Sequence, residues 1–212
     1  REYPKIVPIL FVSLGFALIG FLDDYIKVIM KNPKGLLPLQ KMAGQCLITA
    51  IFAYYLLNYS DVGTAAIIPF TGGKTMDLGI FFLPVFFFIM LGTVNGANFT
   101  DGLDGLASSV TILIAVFLTM VAIGTNAGIT PITGAVVGSL MGFLMFNVYP
   151  AKVFMGDTGS LAIGGAIATI ALILELPIIL FIVGGIYVFE TIAVILQVSS
   201  YKLRGRRLFK MA

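Results

Sequence analysis

The sequence predicts an all-α polytopic membrane protein with about seven transmembrane helices in these 212 residues. Three observations carry that prediction. Hydrophobic residues make up 59% of the chain and charged residues 11%, too little polar side chain to cover a soluble domain of this size. The uncharged runs have the length of membrane spans, for which about 20 apolar residues suffice, with a range of about 17–25. The charged residues stand at the ends of those runs rather than scattered through them.

The first run lies between Lys5 and Asp23, the second between Lys41 and Asp61, and the third between Asp77 and Asp101. Asp104 and Lys152 enclose 47 uncharged residues. That is two spans, joined by the polar turn Gly124-Thr125-Asn126-Ala127-Gly128, with Pro131 opening the second. Thr158 to Leu174 forms the sixth span. Leu176 to Tyr201 forms the seventh, with Glu190 inside it. Between the second and third spans, residues 63–79 read as two short extended segments around Gly72-Gly73, a β-hairpin.

The cations set the orientation. Lys27, Lys31, Lys34, Lys41, Lys152, Lys202, Arg204, Arg206, Arg207 and Lys210 fall on one side of an alternating topology, and only Arg1, Lys5 and Lys74 on the other. The positive-inside rule makes the first side cytoplasmic, so the N-terminus and the hairpin are expected outside and the C-terminus inside. Cys46 is the only cysteine, so no internal disulfide can form, and the absence of histidine removes imidazole as a ligand or base within these residues. The start without Met and the basic ending read as a single transmembrane domain, residues 1–212, cut from a longer protein.

Five of the ten acidic residues fall in three motifs, FLDDYIK, NGANFTDGLDGLA and FMGDTGSL, all on the predicted cytoplasmic side. Carboxylates at the edge of a membrane are costly, so they mark a metal, a proton path or a substrate. Asp23 and Asp24 repel each other and need a cation nearby. Lys27, four residues on, shares a helical face with Asp23, although two solvated acids at a helix end would look the same. Asn95, Asn98, Asp101 and Asp104 offer oxygen and amide groups among Gly96, Gly102 and Gly105, a donor set that suits Mg²⁺. The plainer alternative is a helix start capped by Thr100 or Asp101. Asp157 near a helix N-terminus is either a cap or part of a phosphate site, and Phe154 is of a type to stack on a nucleobase. Glu190 and Gln197 lie near one face of the last span, where a structural polar contact and a substrate contact are equally open.

These three motifs, in this order, resemble the polyprenyl-phosphate N-acetylhexosamine-1-phosphate transferases over almost the whole chain. The ending RGRRLFKMA is similar to the branch that uses UDP-MurNAc-pentapeptide as donor. The resemblance implies a ten-span bacterial plasma-membrane enzyme, here without its first two spans, its last span and a histidine-rich segment. By that resemblance Asp23, Asp24 and Asp157 are catalytic, and Asp157 binds Mg²⁺. Asn95, Asn98, Asp101 and Asp104 form the nucleotide and metal loop, and Phe154 and Gly156 the uridine side. Lys27 and Lys41 lie near the phosphates, and Gln197 lines the site. The implied partners are UDP-MurNAc-pentapeptide, undecaprenyl phosphate, the lipid bilayer and a second copy of the chain in a homodimer. No nucleic-acid partner is expected.

The implied reaction passes phospho-MurNAc-pentapeptide to undecaprenyl phosphate and gives lipid I and UMP. Phosphoryl chemistry of this kind asks for charge neutralisation and in-line positioning more than for covalent catalysis. One rival is a sibling enzyme that takes UDP-GlcNAc, against which the terminal RLFKMA argues. Another is a cation-coupled transporter, whose site would lie near mid-membrane rather than at span ends on one side. A third, a non-catalytic scaffold, has little use for three acid-rich loops.

Overall fold

The computed structural model describes residues 3–209. Its elements in chain order are α1 (Ile6–Val28), α2 (Pro38–Tyr59), β1 (Ala65–Ile67), β2 (Thr75–Asp77), a 3₁₀ turn (Gly79–Phe81), α3 (Phe82–Thr100), α4 (Leu106–Gly124), α5 (Thr130–Asn147), α6 (Gly156–Ile173), α7 (Pro177–Val183) and α8 (Gly185–Arg204). Among the described residues, six helices are long and apolar enough to cross a membrane: α1, α3 with its leading 3₁₀ turn, α4, α5, α6 and α8. The chain is a multi-pass membrane protein. Helix α2 has 22 residues, but Gln40, Lys41, Gln45 and Asn58 lower its apolar content, and it stands apart from those six.

Local sequence places the helix ends. Pro38, Pro131 and Pro177 open α2, α5 and α7, where a missing N–H costs nothing. Gln40 Oε1 accepts the Leu37 N–H at 3.1 Å and steadies the start of α2. At the far end of the chain Gly205, with φ 65°, closes α8, whose last turn carries Lys202 and Arg204 where the helix dipole favours cations.

The last predicted span is two helices rather than one. The run breaks at Gly184, leaving the seven-residue α7 and the 20-residue α8. Pro177 and the pair Gly184-Gly185 are helix-weakening residues inside an otherwise apolar run, which uncharged length alone does not register. The β-hairpin forms as expected. It is antiparallel, with Ala65 opposite Asp77 and Ile67 opposite Thr75, and it turns through Gly72 and Gly73 at positive φ. Ile67 N–H donates to Glu175 O (2.8 Å), which ties the hairpin to the turn between α6 and α7.

Helix α6 is the centre of the bundle. Twelve of its 18 residues are buried, and its most extensive neighbours are α1 and then α3. Small residues permit this. A Cβ added at Gly164 would lie 2.7 Å from Val94 Cα of α3, and one at Gly20 of α1 would overlap the Asp157 carbonyl of α6. Close backbone approach through small residues is how membrane helices gain contact, because lipid provides no hydrophobic drive between them. The Gly20 contact brings the C-terminal part of α1, with Asp23 and Asp24, against the first turn of α6, with Asp157.

Candidate functional site

The carboxylates of Asp23, Asp24 and Asp157 meet where α1 ends and α6 begins, each offering an oxygen within 4.8 Å of the others. Asp24 fixes the junction. Its Oδ2 accepts the Thr158 N–H at 2.8 Å and the Thr158 hydroxyl at 2.6 Å, and its Oδ1 accepts the Asp157 N–H at 3.3 Å. These are orphan donors of the first turn of α6, so an acid from another helix supplies the cap. Asp157, in that first turn, is freed from capping, and the cap alternative raised for it does not hold.

Asp157 is instead gripped on both oxygens. Lys41 Nζ and Lys27 Nζ reach Oδ2 at 2.9 and 3.1 Å, and Asn98 Nδ2 donates to Oδ1 at 2.7 Å. Asn98 also donates to Ser160 Oγ at 2.8 Å, which orients its amide. Lys27 pairs with Asp23, the i,i+4 pair expected from sequence. Asp23 is buried. Its Oδ1 accepts the Leu36 N–H at 2.7 Å, and its Oδ2 has no hydrogen bond beyond the Lys27 ion pair.

The flanking loops complete one wall. Asp101 and Asp104 lie in the turn between α3 and α4, not on one helical face. Neither Thr100 nor Asp101 caps α4. Gly105 stands at that position with φ 73°, and the Thr100 hydroxyl donates to Gly96 O within α3. Burial, then the neighbouring Asp157 and Asp24 charges, push the Asp101 carboxyl up to about 6. Asp104 Oδ2 accepts the Ala151 N–H at 2.9 Å and so joins the α3–α4 and α5–α6 loops. Asp101, Asp104, Phe154 and Gly156 line a cleft of about 200 Å³ beside the carboxylates, with the Phe154 ring 73% exposed.

Two expected site residues are engaged elsewhere. Asn95 lies one turn deeper on α3, where its amide is taken up by Gln45 and by Leu91 O. Gln197 on α8 accepts the Leu208 and Phe209 N–H groups, both at 2.9 Å, and donates to Phe209 O. Glu190 is half-buried on α8 and forms no ion pair among the described residues. Of the basic ending, Lys210 to Ala212 lie outside the described residues, as do Arg1 and Glu2.

Sequence reasoning passed over Thr158, Ser160, Gln45 and Asn147. Asn147 is buried at the end of α5. It accepts from Gly105 N–H and Ser108 Oγ and donates to Val153 O, which stitches the two loops of the cleft. An Asn closing an apolar helix was the available signal, since buried amides are found where they are satisfied.

Four carboxylates, Asp23, Asp24, Asp101 and Asp157, face two ammonium groups, Lys27 and Lys41. The excess negative charge in a half-buried site is unfavourable, and the raised Asp101 carboxyl is one expression of it.

A family model described as glycosyl transferase family 4 matches residues 6–175, the stretch that contains all four carboxylates and both lysines. Named relatives are similar along nearly the whole chain. A phospho-N-acetylmuramoyl-pentapeptide-transferase of Acetivibrio thermocellus is 50% identical over 213 residues, covering 98% of this chain and 63% of its own length. Proteins of the same name from Clostridium botulinum strain Eklund 17B and Thermoanaerobacter sp. strain X514 are 50% and 51% identical, covering 96% and 94% of this chain. The chain thus spans a little under two thirds of the length of these relatives. With the matched region carrying the whole carboxylate–lysine cluster, the chain belongs to glycosyl transferase family 4.

Proposed function

We propose that this chain carries most of the active site of a magnesium-dependent phosphoglycosyl transferase. The enzyme would move phospho-N-acetylmuramoyl-pentapeptide from its UDP carrier to undecaprenyl phosphate, giving lipid I and UMP. The observation that carries the reading is the hold on Asp157 by Lys27, Lys41 and Asn98, beside Asp23 and on an α6 terminus capped by Asp24. The names of the relatives support this donor over UDP-GlcNAc.

The donor set fits a hard divalent cation. Carboxylate oxygens converge at the α1–α6 junction, where four acids face only two lysines. Asp157 is the principal ligand in this reading. Bound Mg²⁺ would supply charge neutralisation for a pyrophosphate.

The chain's own groups do the rest. Lys27 and Lys41 are placed to turn from Asp157 to phosphate oxygens of the two anionic substrates. Asp23, held by the Leu36 N–H, orients the acceptor phosphate rather than deprotonating it. A phosphate monoester loses its second proton near pH 6, so a strong base gains little. The acceptor oxygen then attacks the sugar-bearing phosphorus directly, the bond from that phosphorus to the bridging oxygen breaks, and UMP leaves. Phe154 and Asp101 in the adjoining cleft suit the uracil and ribose. An apolar groove of about 190 Å³ between α3, α7 and α8, lined by Phe88, Ile89, Leu180, Phe181 and Ile195, suits the polyprenyl tail.

The cation asymmetry supports a site facing the cytoplasm with the hairpin outside, and the bacterial relatives support a bacterial plasma-membrane location. The enzyme is further proposed to act as a homodimer. The test is UMP release from UDP-MurNAc-pentapeptide by the full-length protein with undecaprenyl phosphate. Release that needs both Mg²⁺ and the lipid is expected. Equal release from UDP-GlcNAc, or none with either donor, would contradict the reading.

A further inference from the structure

One turn below the carboxylates, inside the bundle, two side-chain amides face each other across α2 and α3. Gln45 Nε2 donates to Asn95 Oδ1 at 3.3 Å, and Asn95 Nδ2 donates back to Gln45 Oε1 at 2.8 Å. The second Asn95 N–H goes to Leu91 O at 2.8 Å, so the donors and acceptor of that amide are all engaged. Gln45 is fully buried. On the Gln45 side a broken amide pair would have no water to fall back on.

The pair is specific in direction and depth, and among the described residues it supplies the only side-chain hydrogen bonds between α2 and α3, beside the apolar Phe52–Phe86 contact. Only Gln45, Thr49, Phe52, Ala53 and Leu56 of its 22 residues are buried. Lys41 stands four residues before Gln45 on α2, and Asn98 three residues after Asn95 on α3, each one turn nearer the site. Both reach the same carboxylate, Lys41 to Asp157 Oδ2 at 2.9 Å and Asn98 to Asp157 Oδ1 at 2.7 Å. A one-residue slip of α2 would move Lys41 by about 1.5 Å along the axis and about 100° around it, which a 2.9 Å contact does not survive.

We propose that Gln45 and Asn95 are positioning residues, a reciprocal amide pin that sets the register of α2 on α3 and so places Lys41 and Asn98 on Asp157. The inference rests on the proposed function above, because it gives Asp157 its role. In this account Asn95 acts through the pin rather than on substrate.

The test uses the full-length protein with Gln45→Leu, Asn95→Leu, both together, and the exchange of Gln45→Asn with Asn95→Gln. Two quantities are read per folded molecule: the Mg²⁺-dependent rise in unfolding temperature, and kcat and KM for UMP release. Each single variant should move the Mg²⁺ midpoint by at least about threefold and lose about tenfold in kcat, since small misplacements near the chemistry are costly. KM for the lipid acceptor should stay within about twofold of wild type. The double Leu variant should be no worse than either single, because the two residues act as one unit, and the exchange should recover most of kcat.

Wild-type Mg²⁺ dependence and kcat in the singles would overturn the proposal. So would losses that multiply in the double variant, or an exchange no better than the singles. A merely structural role would lower the amount of folded protein and leave the Mg²⁺ midpoint in place. A wild-type protein that shows the Mg²⁺ shift without UMP release would contradict the proposed function instead, and the pin would then stand or fall on the shift alone.

Discussion

Asp24 and Thr158, 134 residues apart in sequence, are joined twice: both the N–H and the hydroxyl of Thr158 donate to the same Asp24 oxygen, at 2.8 and 2.6 Å. This makes Asp24 the cap of α6 and a support for Asp157. Asp24→Ala should lower stability by about 1 kcal/mol, the usual worth of a cap, and read as a lower unfolding midpoint. Asp24→Asn, which still accepts from an N–H, should keep most of that midpoint. Equal midpoints for wild type and Asp24→Ala would show that the cap contributes nothing.

Phe154 is exposed and packs on little, so truncating it should leave folding intact. If its ring stacks on uracil, Phe154→Ala should weaken donor binding by about 1–3 kcal/mol, roughly 5- to 150-fold, with a smaller change for the lipid acceptor. Calorimetric titration with the UDP-linked donor measures this, and unchanged affinity would remove Phe154 from the site.

The Asp101 carboxyl, held up near 6 by burial and by Asp157 and Asp24, gives a signed pH dependence in Mg²⁺-free protein. Between the ordinary Asp value of about 4 and 6 the folded state binds a proton that the unfolded chain does not. The Asp101 contribution to stability is therefore greatest at the acid end of that window, falls as pH rises through 6, and is flat above. Asp101→Asn should remove that slope. Unfolding midpoints at pH 4.5 and 7, compared between wild type and variant, isolate it from the other carboxylates. An identical slope in both would refute the assignment.

Topology is open to direct labelling in a Cys46→Ser background. Gly73 sits at the hairpin turn, and Tyr149 is exposed in the loop before α6, unlike Thr100, which is buried. An impermeant thiol reagent should modify Gly73→Cys in intact cells and Tyr149→Cys only after permeabilisation. The reverse pattern would invert the orientation.

The spacing of charges made the helices legible, because a charge inside hydrocarbon is so costly that it marks span ends well. It also made the Asp23–Lys27 pair and the α6 start legible, since both are local in sequence. It did not reveal the Asp24 cap, the Lys41 and Asn98 contacts to Asp157, or the Gln45–Asn95 pair, all of which depend on how distant helices pack. Asn95 is expected at the site because it opens the second motif, and Gln197 because the resemblance places it there. Whether such an amide faces a ligand or another protein group is decided by packing, and here both face protein. The break at Gly184 was written as Gly-Gly after Pro, but a reading by uncharged length passes over glycine.

The most direct test of the central claim is an Mg²⁺ titration of UMP release by full-length wild type, Asp157→Asn and Asp23→Asn. Asp24 rather than Asp157 caps α6, and Asn keeps the shape of Asp, so Asp157→Asn should fold with an unfolding midpoint lowered by the loss of the lysine ion pairs. Asp157→Asn is expected to lose nearly all transfer and to be poorly rescued by excess Mg²⁺. Asp23→Asn is expected to keep the wild-type Mg²⁺ midpoint while turning over slowly. A wild-type midpoint and rate in Asp157→Asn would contradict the account.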